Sequence, residues 1–322
     1  MTQSYGIRHV TRFSYASPVS ETVMELRMRP ATEGEQRCLQ FDLQLQPQAR
    51  VFAYQDSLGN WVHHFDLPRR HVQLSITARA HVQIDEATPL PTALPLDAWD
   101  VIDRWAEDGE HWDFRQPSRF AAWTGPLVAF ADGILGAGPG RADPLTTVRA
   151  VTAAVHDAFE YAPQSTRVDS PIDEALAARR GVCQDFTHIM LAMLRRLQMP
   201  ARYVSGYLAP AEAGTTSPTT IATHAWVEVL LPELGWVGFD PTNGLQAGLR
   251  HIRVAIGRDY ADVPPTRGVF KGGTGSSLAV SVEVTPGAIL PTIDPAAMPA
   301  SWVAVASPPV DDPAHVQMQQ QQ

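Results

Sequence analysis

RRGVCQDFTHIMLAMLRRLQMP, residues 179–200, sets Cys183 just past a glycine and at the head of an apolar run with helical spacing. Phe186, Met190 and Leu194 follow the cysteine at three, seven and eleven residues, so the thiol shares the core-facing stripe of a helix that Met199-Pro200 ends. Gly181 is expected to terminate a preceding helix that Ser170-Pro171 opens, with Asp173 and Glu174 in its first turn and Arg179 and Arg180 in its last. A sulfur at a helix start lies beside free N–H groups and the positive end of the helix dipole, a setting that favours a nucleophilic thiolate. The same N–H groups suit a tetrahedral oxyanion. The default state of a cysteine is a small buried apolar residue, and Cys38 keeps that assignment.

THAWVEVLLPELGWVGFDPTN, residues 223–243, sets Cys183 apart by supplying partners. His224 to Leu230 alternates, Leu231 to Gly235 turns, and Trp236 to Asp240 returns, which makes a hairpin. With the turn centred near 232 or 233, opposed residues sum to about 464 to 466, so Asp240 falls opposite His224 or within two positions of it. Alone, Asp240 reads as a turn former ahead of Pro241, and His224 as an ordinary strand histidine. Together they form an imidazole with a carboxylate to fix its tautomer and stabilise its protonated form, the orienting role of a triad's third member. Cys183, His224 and Asp240 are therefore the candidate catalytic residues. Glu228 shares the His224 face and is a second candidate orienter, with solvated surface as its ordinary state. His188 stands about 140° round the helix from Cys183 and does not present its ring to that thiol. Trp226 and Trp236 are expected to pack in the core.

Outward from these segments, the first 85 residues alternate as strands do. Leu39, Phe41, Leu43 and Leu45 keep one parity, as do Val72, Leu74, Ile76, Val82 and Ile84, with turn chemistry at Asp56-Ser57-Leu58-Gly59-Asn60 between them. An antiparallel β domain over 1–85 follows, with no catalytic cluster; adjacent His63 and His64 point to opposite faces and share no metal. Residues 86–97, with Pro89, Pro91 and Pro95, read as a linker. A second domain over 98–284 then starts with helices: Asp143 caps and Pro144 opens one whose face is Leu145, Val148, Thr152, Val155 and Phe159. Leu278, Val280, Val282 and Val284 are expected to form a late strand of this second domain. Residues 285–322, rich in proline and ending QMQQQQ, are expected to be an extended or disordered tail.

A chain of 322 residues with 44% hydrophobic and 18% charged side chains has apolar surface enough for a packed core. Its formal net charge of −9 and lack of basic blocks argue against a nucleic-acid partner. No stretch has the length of a membrane span or a signal peptide's apolar region, so the expectation is a cytoplasmic protein with no membrane partner. Two cysteines make neither a disulfide framework nor a cysteine-rich zinc site. No cofactor and no metal are expected.

GVCQDF, PARYVSGYL, HAWVEV and GFDPTNG occur in that order and closely resemble the bacterial transglutaminase-like family. YGIRHVTRFSYASPV and DSLGN resemble the β domain that precedes the core in many members, and HIRVAIGRDYADVPP resembles the end of the core. The resemblance implies an α+β fold, with an N-terminal antiparallel β domain before a papain-like, transglutaminase-like core of helices on an antiparallel sheet. It also matches the family's Cys, His and Asp to Cys183, His224 and Asp240. It leaves the second oxyanion donor open, with Tyr161 in FEYAP a candidate, and gives no role to Arg258, Asp259 and Tyr260 beyond a salt link. The expected activity is acyl transfer from a peptide or protein substrate through a thioester, resolved by water as in a peptidase or amidase. Transfer to an amine, as in a protein-glutamine transglutaminase, is the alternative, and a scaffold that keeps the fold without activity is the third.

Overall fold

The structure is a computed structural model that describes residues 1–135, 142–211, 223–272 and 275–287, together with the strand backbones at 303–306 and 314–318. The chain opens with β1 (Thr2–Val19), β2 (Glu21–Leu26), β3 (Gln36–Gln46), β4 (Val51–Gln55), β5 (Trp61–Leu67) and β6 (His71–Asp85). Residues 86–97 hold neither helix nor strand. Next come α1 (Ala98–Glu107), α2 (Gly125–Leu135), α3 (Pro144–Ala158), β7 (Glu160–Tyr161), α4 (Ile172–Ala178), β8 (Arg180–Gly181) and α5 (Cys183–Arg196). β9 (Ala201–Leu208), β10 (Thr223–Leu231), β11 (Gly235–Asp240), β12 (Leu245–Gln246) and β13 (His251–Gly257) follow. β14 (Thr266–Lys271), β15 (Ser276–Pro286), β16 (Val303–Ala306) and β17 (Ala314–Met318) complete the described elements.

The α+β class holds. Helices α2 to α5 pack beside a five-stranded antiparallel sheet in the order β12-β11-β10-β9-β13. Two further five-stranded sheets, β16-β15-β1-β6-β3 and β17-β14-β2-β5-β4, enclose an apolar core built on Phe13, Leu26, Phe65, Leu74, Ile76 and Phe270. Strands β1 and β6 are long enough to serve two cores with one face. Phe13, Leu74, Ile76 and Ala78 fill the space between those sheets, while Tyr5, Ile7, Ala80, Val82 and Ile84 continue the same parity into the core that the helices share.

Three expectations are corrected. The strand at 278–284 does not end the helical domain: β15 pairs with β1 over a continuous register from Tyr5 opposite Pro286 to Tyr15 opposite Ser276. β14 likewise joins β2. Alternation identifies a strand and its buried face but not its neighbour, and the free edges of β1 and β2 were the available partners. Two segments of the expected tail, 303–306 and 314–318, pair as strands on β15 and β14; the tail's other residues from 288 onward lie outside the described ones. Leu39 and Val72 are exposed rather than inward. For Leu39 the cause is a bulge between Cys38 and Gln40 that breaks the parity of β3.

The turn DSLGN does more than reverse the chain. Asn60 donates from Nδ2 to the Ile256 carbonyl at 2.8 Å and accepts the Ile256 N–H at Oδ1, also at 2.8 Å. Gln36 makes the equivalent amide pair with the backbone of Arg253. Both therefore help satisfy β13, the edge strand of the helix-backed sheet, together with the Ala31 N–H that also reaches the Arg253 carbonyl. Leu58 packs on Val204, Trp226 and Ile256. Asn60→Ala is expected to cost about 2 kcal/mol by orphaning two buried backbone groups, seen as a lower urea midpoint at unchanged slope. Among the described residues, no helix is long and apolar enough to cross a membrane.

Candidate active site

Asp185, a residue the sequence argument passed over, sets the position of Cys183. From the third position of α5 its Oδ2 accepts the Val182 N–H at 2.8 Å and the Thr166 hydroxyl at 2.6 Å, tying the helix start to the loop before α4. Burial raises its pKa despite these bonds. A Cβ on Gly181 would stand 2.7 Å from that same Oδ2, so only glycine leaves room for the carboxylate to fold back. The expected helix-stop role of Gly181 is corrected: α4 ends at Ala178, Arg179 takes the left-handed conformation at φ 54°, and Arg180 and Gly181 pair with β7. Within the first turn of α5, the Val182 carbonyl accepts the N–H groups of Asp185 and Phe186. Those of Cys183 and Gln184 have no acceptor among the described residues. Cys183 itself is 1% exposed.

Val227 stands opposite Phe239, a register that carries Trp226 opposite Asp240 and leaves His224 two positions away on the same face. The diagonal suffices: His224 Nε2 lies 2.7 Å from Asp240 Oδ2. Nδ1 is then the ring nitrogen left for Cys183, whose sulfur acts on the charge of the imidazole. The structure thus brings all three expected residues together. Asp240 has no exposed surface, and its two oxygens divide the donors between them. Oδ1 accepts the N–H groups of Thr242 and Asn243 at 3.0 and 3.1 Å. Oδ2 accepts from His224, from Asn243 Nδ2 at 2.7 Å and from His251 Nε2 at 3.0 Å. Burial works against charge on this carboxylate, but His224, with help from His251, overcomes it and holds the pKa well below the carboxylate range. Burial likewise works against the imidazolium, yet Asp240 and then the Cys183 sulfur raise His224 from 6.5 to about 10. The site is built to hold a protonated histidine.

Trp226 packs in the core as expected and stacks on His224, centroids 6.2 Å apart, with its edge toward His251. Gly206 on β9, opposite His224, gives it space. Glu228 is neither an orienter nor solvated: it is 7% exposed and bonds Arg202, its cross-strand partner, at 2.6 Å and Arg253 at 3.0 Å. Arg202 in turn lies over Trp236 at 4.2 Å. His188 is buried away from the sulfur, accepting the Tyr260 N–H at Nε2 and stacking on Phe120. The salt link expected at 258–260 is Arg258 with Asp262, while Asp259 accepts the N–H groups of Phe120 and Ala261. Tyr161 is 43% exposed; burial and then the charge of Cys183 push its hydroxyl pKa up. Cys38 is partly buried and bonds the Gln40 carbonyl, and burial raises its pKa.

His251 and Asn243 are site neighbours that sequence reasoning missed. Asn243, in GFDPTNG, was within reach as an Asx-turn residue; His251 carries no local signal. Donor atoms of His224, Asp240 and His251 lie within 4.8 Å of one another, a spacing able to close round a divalent metal. Both Nε2 atoms, however, sit at hydrogen-bond distance from the carboxylate, and the Cys183 sulfur adds to the charge acting on His224, which fits a proton network better than a metal centre.

A buried cysteine at a helix start, facing a histidine–carboxylate pair on an antiparallel sheet, defines a cysteine-based enzyme with a transglutaminase-like core. Residues 5–83 match the bacterial transglutaminase-like N-terminal region and residues 133–241 the transglutaminase-like superfamily. An uncharacterised protein of Mycobacterium leprae is 32% identical over 281 residues, spanning 86% of this chain and 96% of that one. The solved structure of a candidate cysteine protease from Cytophaga hutchinsonii shares the fold, with a TM-score of 0.69 over 99% of this chain and 98% of that one at 21% identity. Over a shorter stretch of 123 residues, 34% of this chain and 18% of the other, a protein-glutamine gamma-glutamyltransferase of Pseudomonas aeruginosa is 31% identical. The chain belongs to the bacterial transglutaminase-like family.

Proposed function

We propose that the protein cleaves peptide or isopeptide amides through a Cys183 thioester. The sulfur attacks the amide carbonyl, the N–H groups at the head of α5 hold the oxyanion, and His224 passes its proton to the departing amine. Water then adds to the thioester, His224 takes a proton from it, and the carboxylic acid leaves as the thiol re-forms. The observation that carries this reading is the pairing of His224 with Asp240 at 2.7 Å beside the Cys183 sulfur, which, after the carboxylate, raises the histidine's pKa. It takes the cytoplasm as its compartment, where a free thiol stays reduced.

A second reading, transfer of the acyl group to an amine, draws on the similarity to the Pseudomonas aeruginosa glutamyltransferase. Both share one acyl-enzyme, and the acceptor decides the outcome. Incubation with a glutamine peptide and a tagged amine, read by mass spectrometry, separates them. Hydrolysis gives glutamate and no tag, and Cys183→Ala gives neither. Tagged product overturns hydrolysis in favour of transfer. No product at all, with Cys183 alkylated as slowly as Cys38, would leave the scaffold reading.

A further inference from the structure

His251 is a third side chain on the Asp240 carboxylate, and the reaction as written makes no use of it. Its Nε2 lies 3.0 Å from Oδ2, the oxygen that also faces His224. Its other ring nitrogen, Nδ1, meets the backbone N–H of Gly248 at 3.2 Å. A nitrogen that accepts an N–H holds no proton of its own, so the single ring proton belongs on Nε2 and His251 is a neutral donor. Burial, helped by the charges of His224 and Arg250, keeps its pKa below the ordinary histidine value against the pull of Asp240. Asp240, His224 and Arg250 act on its charge, and Trp226 packs edge-on at 5.2 Å.

We propose that His251 is a positioning residue for the same reaction, a neutral hydrogen-bond donor that keeps Asp240 ionised and directed at His224. The inference rests on the Cys183 reading. A carboxylate without exposed surface keeps its charge only as far as donors satisfy it. A cation at 251 would compete with His224 for that charge. A neutral donor satisfies Oδ2 without competing, so the imidazolium forms on the ring that faces the sulfur. The backbone of Gly248 enforces the division, because protonating Nδ1 would oppose its N–H.

Alkylation of Cys183 by iodoacetamide in the full-length protein, followed against pH by peptide mass spectrometry, tests this. If Cys183 in the unsubstituted protein reacts no faster than Cys38 near neutral pH, the nucleophile reading fails and takes the inference with it. With fast labelling established, His251→Phe keeps a ring against Trp226 and removes the donor. It is expected to slow labelling by about tenfold, the scale of one hydrogen bond to a charged group, and to move the acid limb of the profile to higher pH. His251→Gln returns an N–H to the place of Nε2 and is expected to restore most of the rate and the limb. His251→Met is a second donor-free variant for use if the phenylalanine variant does not fold. An unmoved acid limb in the donor-free variant, or a glutamine variant as slow as that one, overturns the proposal while leaving Cys183 as nucleophile.

Discussion

Asp240→Asn is expected to slow Cys183-dependent cleavage by about 10³–10⁴-fold, the scale on which loss of the orienting carboxylate acts in such triads. Five hydrogen bonds converge on the two oxygens of Asp240, all donated to it. An amide offers one oxygen. If that oxygen takes the backbone N–H groups of Thr242 and Asn243, the NH₂ group faces His224. The imidazole then accepts at Nε2 and carries its proton on Nδ1, the nitrogen that must take one from the thiol. The reverse orientation sets the NH₂ against two backbone N–H groups. Either way a buried donor is left unpaired, at about 2 kcal/mol in stability.

The same substitution has a pH signature. His224 is raised from 6.5 to about 10 in the folded protein, so its stabilising contribution is complete below about pH 6.5 and is lost as pH rises through about 10. The Asp240 carboxyl is held below its usual 3.8, so its contribution is present above that value and is lost as pH falls through the folded pKa. The melting-temperature gap between the unsubstituted protein and Asp240→Asn is expected to be widest between about pH 4 and 6.5 and to narrow toward pH 10. A gap that does not change with pH would contradict the assignment of the charge to this pair.

Gly206→Ala is expected to destabilise the protein by about 3 kcal/mol or more, because the added methyl has nowhere to go. An ideal Cβ there would stand 2.2 Å from the Ile252 carbonyl oxygen and 2.6 Å from the Trp226 ring. The first obstacle is backbone in the neighbouring strand and does not rotate away. The second is the ring stacked on His224, so any relief reaches the site. A urea titration and Cys183 labelling are expected to fall together, in contrast to Asn60→Ala, which weakens the interface between the sheets and β13 without touching Trp226. Normal labelling in a destabilised Gly206→Ala would show that Trp226 does not set the histidine.

The parts legible from residue order share a short range. Cys183 heads α5 because its apolar spacing and flanking residues are local, and His224 meets Asp240 because a short turn joins their strands, so register follows from counting. Asp143 caps α3 as its position ahead of Pro144 implies. What counting does not supply is any contact between segments far apart in the chain. The partner of β15 is β1. Asn60 and Gln36 close the edge of β13. His251 arrives on Asp240 from a strand that shows only ordinary alternation. Gly181 and Gly206 are glycines for want of space beside Asp185 and Trp226, not for a turn. Local patterns arise from backbone periodicity and capping, which each segment carries alone; neighbours are chosen by packing of the whole chain, where one edge or cavity admits a single occupant. Thus Cys183 and its two candidate partners are written in the amino-acid order, while the donors that hold the carboxylate and the gaps that admit the rings exist only once the sheets have closed.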